Sequence, residues 1–220
     1  MIAYHYPPVR VSSGVQRTLK FSYYLREHGW EPLVLTVHPR AYERTSDDQI
    51  KEIPEGMTLK RSWALDATRH LAVGRRYFSW TALPDQWSTW ALTGYRDGLR
   101  LIEEHRPDLI WSTYPISTAH LLGMRLHKKT GLPWVADFRD PMVSGSFPKD
   151  PTRKRLFRWI ERNAAHQAAR CVVTTPGTRG LLSSRYPETD PQKWVVIPNG
   201  YDEDNFIEAQ QDLPARAGND

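Results

Sequence analysis

Short apolar runs recur along this chain, and several of them scarcely alternate with polar residues. Leu33, Val34, Leu35 and Val37 follow Pro32 almost without a break. The pattern returns at Leu109 to Thr113, Leu132 to Phe138, Cys171 to Thr175 and Trp194 to Ile197. A strand with one face in water alternates. A strand buried on both faces does not, and such strands belong to parallel sheets covered by helices. Met57 to Ala64 and a very short N-terminal run, Met1 to Tyr6, are further strand candidates. Between the runs, apolar residues return at helical spacing. Val15, Leu19, Ser22 and Leu25 share a face ahead of Gly29, and Trp90, Ala91, Tyr95, Leu99 and Ile102 mark another. Leu121, Leu122 and Leu126 precede Gly131, and Leu156, Ile160 and Ala164 line a basic helix over 152–169. The glycines are suited to closing helices. This alternation predicts an α/β fold: a doubly wound, mostly parallel Rossmann-like sheet with helices on both faces.

The 220 residues suit one domain over 1–206, with a polar tail over 207–220 that reads as a linker. With 40% hydrophobic and 25% charged residues the chain is globular in composition. Its single cysteine, Cys171, excludes an internal disulfide and sits in an apolar run, as an inert core thiol does. A reducing compartment is the expectation. No stretch approaches the roughly 18 apolar residues of a membrane span, and Met1 to Pro8 lacks the pattern of a signal peptide. A cytoplasmic protein is expected. The net charge of +5 favours an anionic partner: a phosphorylated ligand, nucleic acid or an anionic membrane surface.

The chemistry gathers where the central run ends. Asp137, Arg139 and Asp140 arrive together and Pro141 stops the strand. In open parallel sheets, ligands bind beyond the carboxyl ends of the strands. Crowded charges there pair with one another or meet a ligand. In the catalytic reading Asp140, or else Asp137, accepts a proton from a hydroxyl that Arg139 orients. In the structural reading Asp137 holds Arg139 and neither does chemistry. The turn Ser12-Ser13-Gly14 puts free backbone N–H groups at a helix N-terminus, which binds anions, and Arg17 adds charge one turn later. Ordinary capping by Ser13 explains the same residues. Tyr114, which ends the run over 109–113, joins the candidate binding residues.

Neither GxGxxG nor GxxxxGK[ST] occurs, which argues against a standard dinucleotide fingerprint and a P-loop. There is no G-x-S-x-G elbow, and no histidine pair has zinc-ligand spacing, so no metal is expected. His120 reads more simply as a structural histidine than as a base. Leu65 to Trp87 mixes Arg69, Arg75 and Arg76 with Tyr77, Phe78, Trp80 and Trp87. That composition suits a membrane interface or a lipid-linked ligand, and equally a core helix with a solvated basic side. Stacking on single-stranded nucleic acid lacks any accompanying motif.

Several pieces, in order, resemble the N-terminal half of family 4 glycosyltransferases of the two-domain GT-B type. Tyr6-Pro7-Pro8, Ser13-Gly14, Arg17, Leu25, Gly29-Trp30 and Val34-Leu35-Thr36 resemble the family's opening strand, glycine loop, first helix and second strand. Pro107-Asp108-Leu109-Ile110, with Ser112 and Pro115, resembles its middle strand. Trp134-Val135-Ala136-Asp137-Phe138-Arg139-Asp140-Pro141 matches a motif of many bacterial members. Ile197-Pro198-Asn199-Gly200-Tyr201-Asp202 resembles the segment leading into the second domain.

The resemblance implies retaining transfer from a nucleotide-sugar donor, without a metal cofactor, to a saccharide or lipid-linked acceptor in cell-surface polysaccharide or glycolipid synthesis. It implies that Ser13 and Gly14 approach the donor, that Arg139 and Asp140 form the site beyond the central strand, and that Asn199 and Gly200 edge the cleft. The alternative is a non-catalytic module that binds a saccharide or lipid acceptor. Ser13 stands where many members carry a second glycine. The family's paired glutamates, eight positions apart in the second domain, have no counterpart here. The chain is therefore expected to be half an enzyme, inactive without a second domain or partner chain. A peripheral place on an anionic membrane is expected to accompany a lipid-linked acceptor.

Overall fold

A computed structural model describes residues 1–10, 13–72, 74 and 76–200. Ser12, the side chain of Ser13, Arg75 and the expected tail lie outside the described residues. The strands are β1 (Val34–Val37), β2 (Leu59–Ser62), β3 (Ile110–Thr113), β4 (Trp134–Arg139), β5 (Arg170–Val173) and β6 (Trp194–Val196). All their pairings are parallel: β1 with β2, and β3-β4-β5-β6 in sequence order. The N-terminal segment joins the two groups. Ile2 bridges to both Leu35 and Ser112. Leu35 N donates to Met1 O at 2.8 Å, and Ile2 N donates to Trp111 O at 2.7 Å. The sheet thus grows first to one side of residues 1–3 and then to the other. The crevice beside this reversal, at the carboxyl ends of the strands, is where such folds take ligands.

The helices are α1 (Ser13–Tyr24), α2 (Ala67–His70), α3 (Trp90–His105), α4 (Ser117–Thr130), α5 (Pro151–Gln167) and α6 (Pro176–Arg185). Successive strand residues point to opposite faces, and β1 shows which helix takes which. Val34 packs with Leu19 of α1, while Leu35 lies against Gly98 of α3. Helix α4 joins α3 and approaches the sheet closely. A Cβ on Gly123 would stand 2.6 Å from Trp134 Nε1, a distance only a missing side chain allows. Helices α5 and α6 cover the same face: Cys171 reaches Ala164 O, and Tyr186 stacks on Trp194. The sheet therefore has helices on both faces, with α1 opposite the rest.

Local chemistry sets the helix ends. Pro151 and Pro176 occupy first-turn positions, and Asp150 and Thr175 cap their helices through Arg153 N and Thr178 N. Gly131 closes α4 in the left-handed conformation. Helix α4 is capped from a distance. Asp85 accepts from Thr118 N at 2.8 Å and from Ser117 Oγ at 2.7 Å.

Three expectations change. Among its described residues, Leu65 to Trp87 holds no core helix, only the single turn of α2 and a short 3-10 turn over Ser79–Ala82. Polar caps and turns divide it, and Trp87 packs against Tyr4 with ring centroids 4.3 Å apart. Tyr42 opens a polar stretch over 42–55, as a surface loop does, yet it is buried and donates to Tyr4 O at 2.8 Å. The basic helix carries Phe157, Glu161 and Ala165 on its buried face beside the expected Ile160 and Ala164.

Candidate functional site at the strand ends

Asp137 is fully buried inside β4, and its charge is met by Arg17, reaching across from the second turn of α1. Arg17 Nε lies 2.9 Å from Asp137 Oδ2, and Nη2 lies 3.0 Å from Oδ1. This two-pronged geometry is the strong form of the carboxylate–guanidinium pair. Thr113 Oγ1 adds a third donor to Oδ2 at 2.8 Å. The remaining guanidinium donors turn to the chain leaving β6. They reach Ile197 O at 3.2 Å, Pro198 O at 3.2 Å and Asn199 Oδ1 at 3.3 Å. Three pieces of chain, α1, β4 and the segment leaving β6, are tied at one guanidinium, whose face also lies over the Phe21 ring at 4.7 Å.

Arg139 sits differently. The register between β4 and β5 shifts between Asp137 and Arg139, and Arg139 takes φ 60°, a left-handed conformation that costs a non-glycine residue about 1–3 kcal/mol. The kink hands its carbonyl to both Thr174 N and Thr174 Oγ1. Its side chain is buried, yet Nε has no hydrogen-bond partner and Nη1 reaches only Tyr114 O, at 3.4 Å. Burial lowers its affinity for the proton, and Arg17 lowers it further, against Asp137 and Asp140. It is the one cation in this cluster with unused donor capacity among the described residues.

His5, at the end of the N-terminal segment, belongs to the same neighbourhood. Burial and the charge of Arg139 bring its pKa down to about 4, so the imidazole is neutral at physiological pH. Asp140 follows the kink and is exposed, with its N–H on Phe138 O. The loop beyond is held from below: Glu161 of α5, fully buried, accepts from Met142 N at 2.7 Å and from Val143 N at 3.3 Å. Arg185 at 2.5 Å and Tyr186 Oη at 2.8 Å complete its shell.

The structure thus brings Arg17, Asp137 and Asn199 into one knot, with Arg139 and Asp140 beside it. Gly14 lies buried in the first turn of α1, and Gly200 follows Asn199 in solvent. Tyr114 stands at the site through its backbone; its ring stacks on His120 and meets Phe157 edge-on in the core. Burial, with Glu161, Asp140 and Asp85 nearby, pushes its phenol pKa up. Asp137 pairs with Arg17 rather than with Arg139, its neighbour in sequence. His120 is buried, bonds Ser112 Oγ through Nδ1 at 2.8 Å, and has its pKa lowered by burial to about 3. Burial likewise pushes the Cys171 thiol up to about 12. His5 and Glu161 escaped the sequence reading. A histidine at the carboxyl end of the first strand, and an acid on the apolar face of a helix, were the available signals.

Among the described residues, no three of His, Cys, Asp and Glu stand close enough together to hold a metal ion. No helix there is long and apolar enough to cross a membrane.

The fold has counterparts among solved structures. Anabaena Alr3699/HepE in complex with UDP aligns at 13% identity with a TM-score of 0.56, covering 96% of this chain and 49% of that one. Sucrose-phosphate synthase (tll1590) from Thermosynechococcus elongatus aligns at 14% identity and a TM-score of 0.52, covering 96% of both chains. Apo UGT2 of Phytolacca americana aligns at 11% identity and a TM-score of 0.54, covering 97% of this chain and 55% of that one. At these identities the likeness is one of fold, that of one Rossmann-like half of a GT-B glycosyltransferase. The chain spans about half the length of HepE. No curated protein sequence matches it. The sequence profile described as "Glycosyl transferase 4-like domain" matches residues 14–200, most of the chain, and the chain belongs to that family.

Proposed function

We propose that this chain is the acceptor-side domain of a retaining glycosyltransferase. In this reading it takes a sugar from a nucleotide-sugar donor and passes it to a saccharide or lipid-linked acceptor in cell-surface polysaccharide or glycolipid synthesis. The reaction runs in the cytoplasm and, where the acceptor is lipid-linked, at the inner face of the membrane. The observation that carries the reading is the Arg17–Asp137 knot. It fixes α1, the central strands and the segment through Asn199 around the crevice, and leaves Arg139 and Asp140 free of that pair. HepE with UDP and with UDP-glucose lends the donor class.

The roles divide by burial. Asp140, exposed at the rim, accepts the proton of the acceptor hydroxyl. The acceptor oxygen then bonds to the anomeric carbon on the face that the nucleoside diphosphate leaves, so the configuration is retained as the bond to the diphosphate breaks. Arg139 orients the acceptor or meets the departing phosphate. Ser13 and Gly14, opening α1, present backbone N–H groups to the donor. Asp137 acts through Arg17 as a positioning residue, and Asn199 and Gly200 edge the cleft. The paired glutamates and main nucleotide contacts belong to a second domain. No metal ion is required by this scheme.

The test is a radiolabelled transfer assay with nucleotide sugars and a membrane-lipid extract as acceptor source. The chain alone is expected to transfer nothing. Joined to a second Rossmann-like domain it is expected to transfer, and Asp140→Ala is expected to lower the rate roughly 100-fold or more. Robust transfer by the chain alone would contradict the incomplete-enzyme reading. Acceptor binding that is indifferent to Asp140 and to donor would leave a non-catalytic acceptor-binding module.

A further inference from the structure

A cavity of about 690 Å³ lies at the amino ends of the strands, at the opposite end of the sheet from the candidate site. It opens between the segments that lead into β1 and β3. Leu33 and Leu109 wall it on either side. Phe21 and Leu25, from α1 and the turn after it, close one face, and Leu101 and Ile102 of α3 close the other. Glu31 and Asp108, on the loops entering β1 and β3, add charge to its lining. A gap with apolar groups in the plane of the sheet and on both its faces has the cross-section of one buried strand.

Residues 1–3 run out of this gap as a strand parallel to both neighbours. On one side Met1 N lies 2.6 Å from Leu33 O, Leu35 N donates to Met1 O, and Ala3 N donates to Leu35 O. On the other, Ile2 N donates to Trp111 O and Thr113 N to Ile2 O. Such a ladder repeats every two residues. One repeat back, the Trp111 N–H faces the place of a carbonyl one residue ahead of Met1, and the Leu33 N–H faces that of a carbonyl two residues ahead. Met1 puts an amine where the ladder takes an amide. Burial brings that amine down to about 5, because a charge there is costly, whereas a peptide N–H would donate to Leu33 O without one.

We infer that the gap takes two further strand residues of this protein, both apolar, joined to Met1 and lying parallel to β1 and β3. A separate peptide or a second copy would have to stop against the Met1 amine. A covalent continuation turns that amine into the amide that the ladder calls for. Side chains alternate along a strand. Met1 packs with Leu19 and Val34 on the α1 side, and Ile2 lies in the larger core on the other. The residue ahead of Met1 therefore faces α3, and the one before it faces α1.

The experiment compares three forms of the chain: unextended, extended ahead of Met1 by Lys-Val-Leu-Ile, and extended by Lys-Ser-Asp-Ser. In the apolar extension the isoleucine faces α3 and the leucine faces α1. It is expected to raise the folding equilibrium constant, measured in urea, roughly tenfold or more over both other forms, as burial of two large apolar side chains does. Hydrogen exchange at the Trp111 and Leu33 amides, read by NMR relative to the β5 amides, is expected to slow roughly tenfold or more in that form alone. Neither measurement involves sugar transfer, so the result stands apart from the function proposed above. An apolar extension no more stabilising than the polar one would overturn the inference, and so would unchanged exchange at Trp111 and Leu33. Sedimentation of the unextended chain as a dimer, with those two amides protected, would give the gap to a second copy and overturn it as well.

Discussion

Two buried carboxylates brace the chain around the end of β4, and they do so differently. Asp137 lies on the cleft side and answers one deeply buried cation, Arg17, whose other donors hold the chain leaving β6. Glu161 lies on the helical side and answers a mixed shell: two backbone N–H groups, a phenol and Arg185, which is partly exposed. The first is an ion pair sealed from water. The second is a hydrogen-bond hub with one charge at its edge. A buried charge is expensive chiefly when its partner is removed and it cannot reach water. The two sites should therefore fail unequally.

The largest expected effect is at the sealed pair. Asp137→Asn leaves Arg17 buried with neutral acceptors only, and should cost about 3–5 kcal/mol of folding stability. Urea unfolding followed by tryptophan fluorescence would measure it. Glu161→Gln keeps an acceptor for Met142 N, and Arg185 can turn to solvent, so about 1–3 kcal/mol is expected. Equal losses, or a larger loss at Glu161, would break the comparison. They would place the main brace of these strand ends on the helical side.

Much of this architecture was legible, and the part that was not has physical causes. The unbroken apolar runs located β1, β3, β4, β5 and β6, and the periodic stretches located α1, α3, α4 and α5 within a few residues. Arg17, Asp137 and Asn199 were each singled out. That they touch could not be read, because the contacts span 120 and 182 positions. Local reasoning paired Asp137 with Arg139, two residues away. Simple alternation favours that pairing, and the kink at Arg139 defeats it. A kink of this kind is decided by the register against β5, which leaves no mark in the motif. Glu161 was hidden in a run of charges, although its position four residues from Phe157 and from Ala165 puts it on the buried face.

Acid sharpens the same contrast, since a histidine held neutral by its surroundings belongs to each side. His5 faces Arg139 near the cleft, and His120 lies beneath β4 against Ser112. Both have folded-state pKa values below the ordinary 6.5, at about 4 and about 3. The unfolded chain therefore binds the proton first. Their contribution to stability is whole above pH 6.5, is lost as pH falls from there, and falls no further below the folded-state values. The share from His120 should fall by about 1.4 kcal/mol per pH unit across that window. Thermal unfolding of His120→Asn and His5→Asn as a function of pH would separate them. His120→Asn should flatten the acid limb down to about pH 3, and His5→Asn only down to about pH 4. An unchanged limb in His120→Asn would show that the imidazole is already solvated in the folded chain.

The smallest effect expected on stability carries the most information about function. Asp140→Asn alters an exposed side chain beyond the end of β4, and surface changes of that kind usually move stability by no more than about 0.5 kcal/mol. Its neighbour in the motif, Asp137, should behave in the opposite way, with a large cost to the fold. If Asp140→Asn unfolds in urea like the parent chain while abolishing transfer in the joined two-domain protein, the motif divides into a structural acid and a working one. If it destabilises as Asp137→Asn does, both acids of the motif serve the fold. The proton acceptor would then have to be sought elsewhere on the rim, with neutral His5, which feels the charge of Arg139, as one candidate.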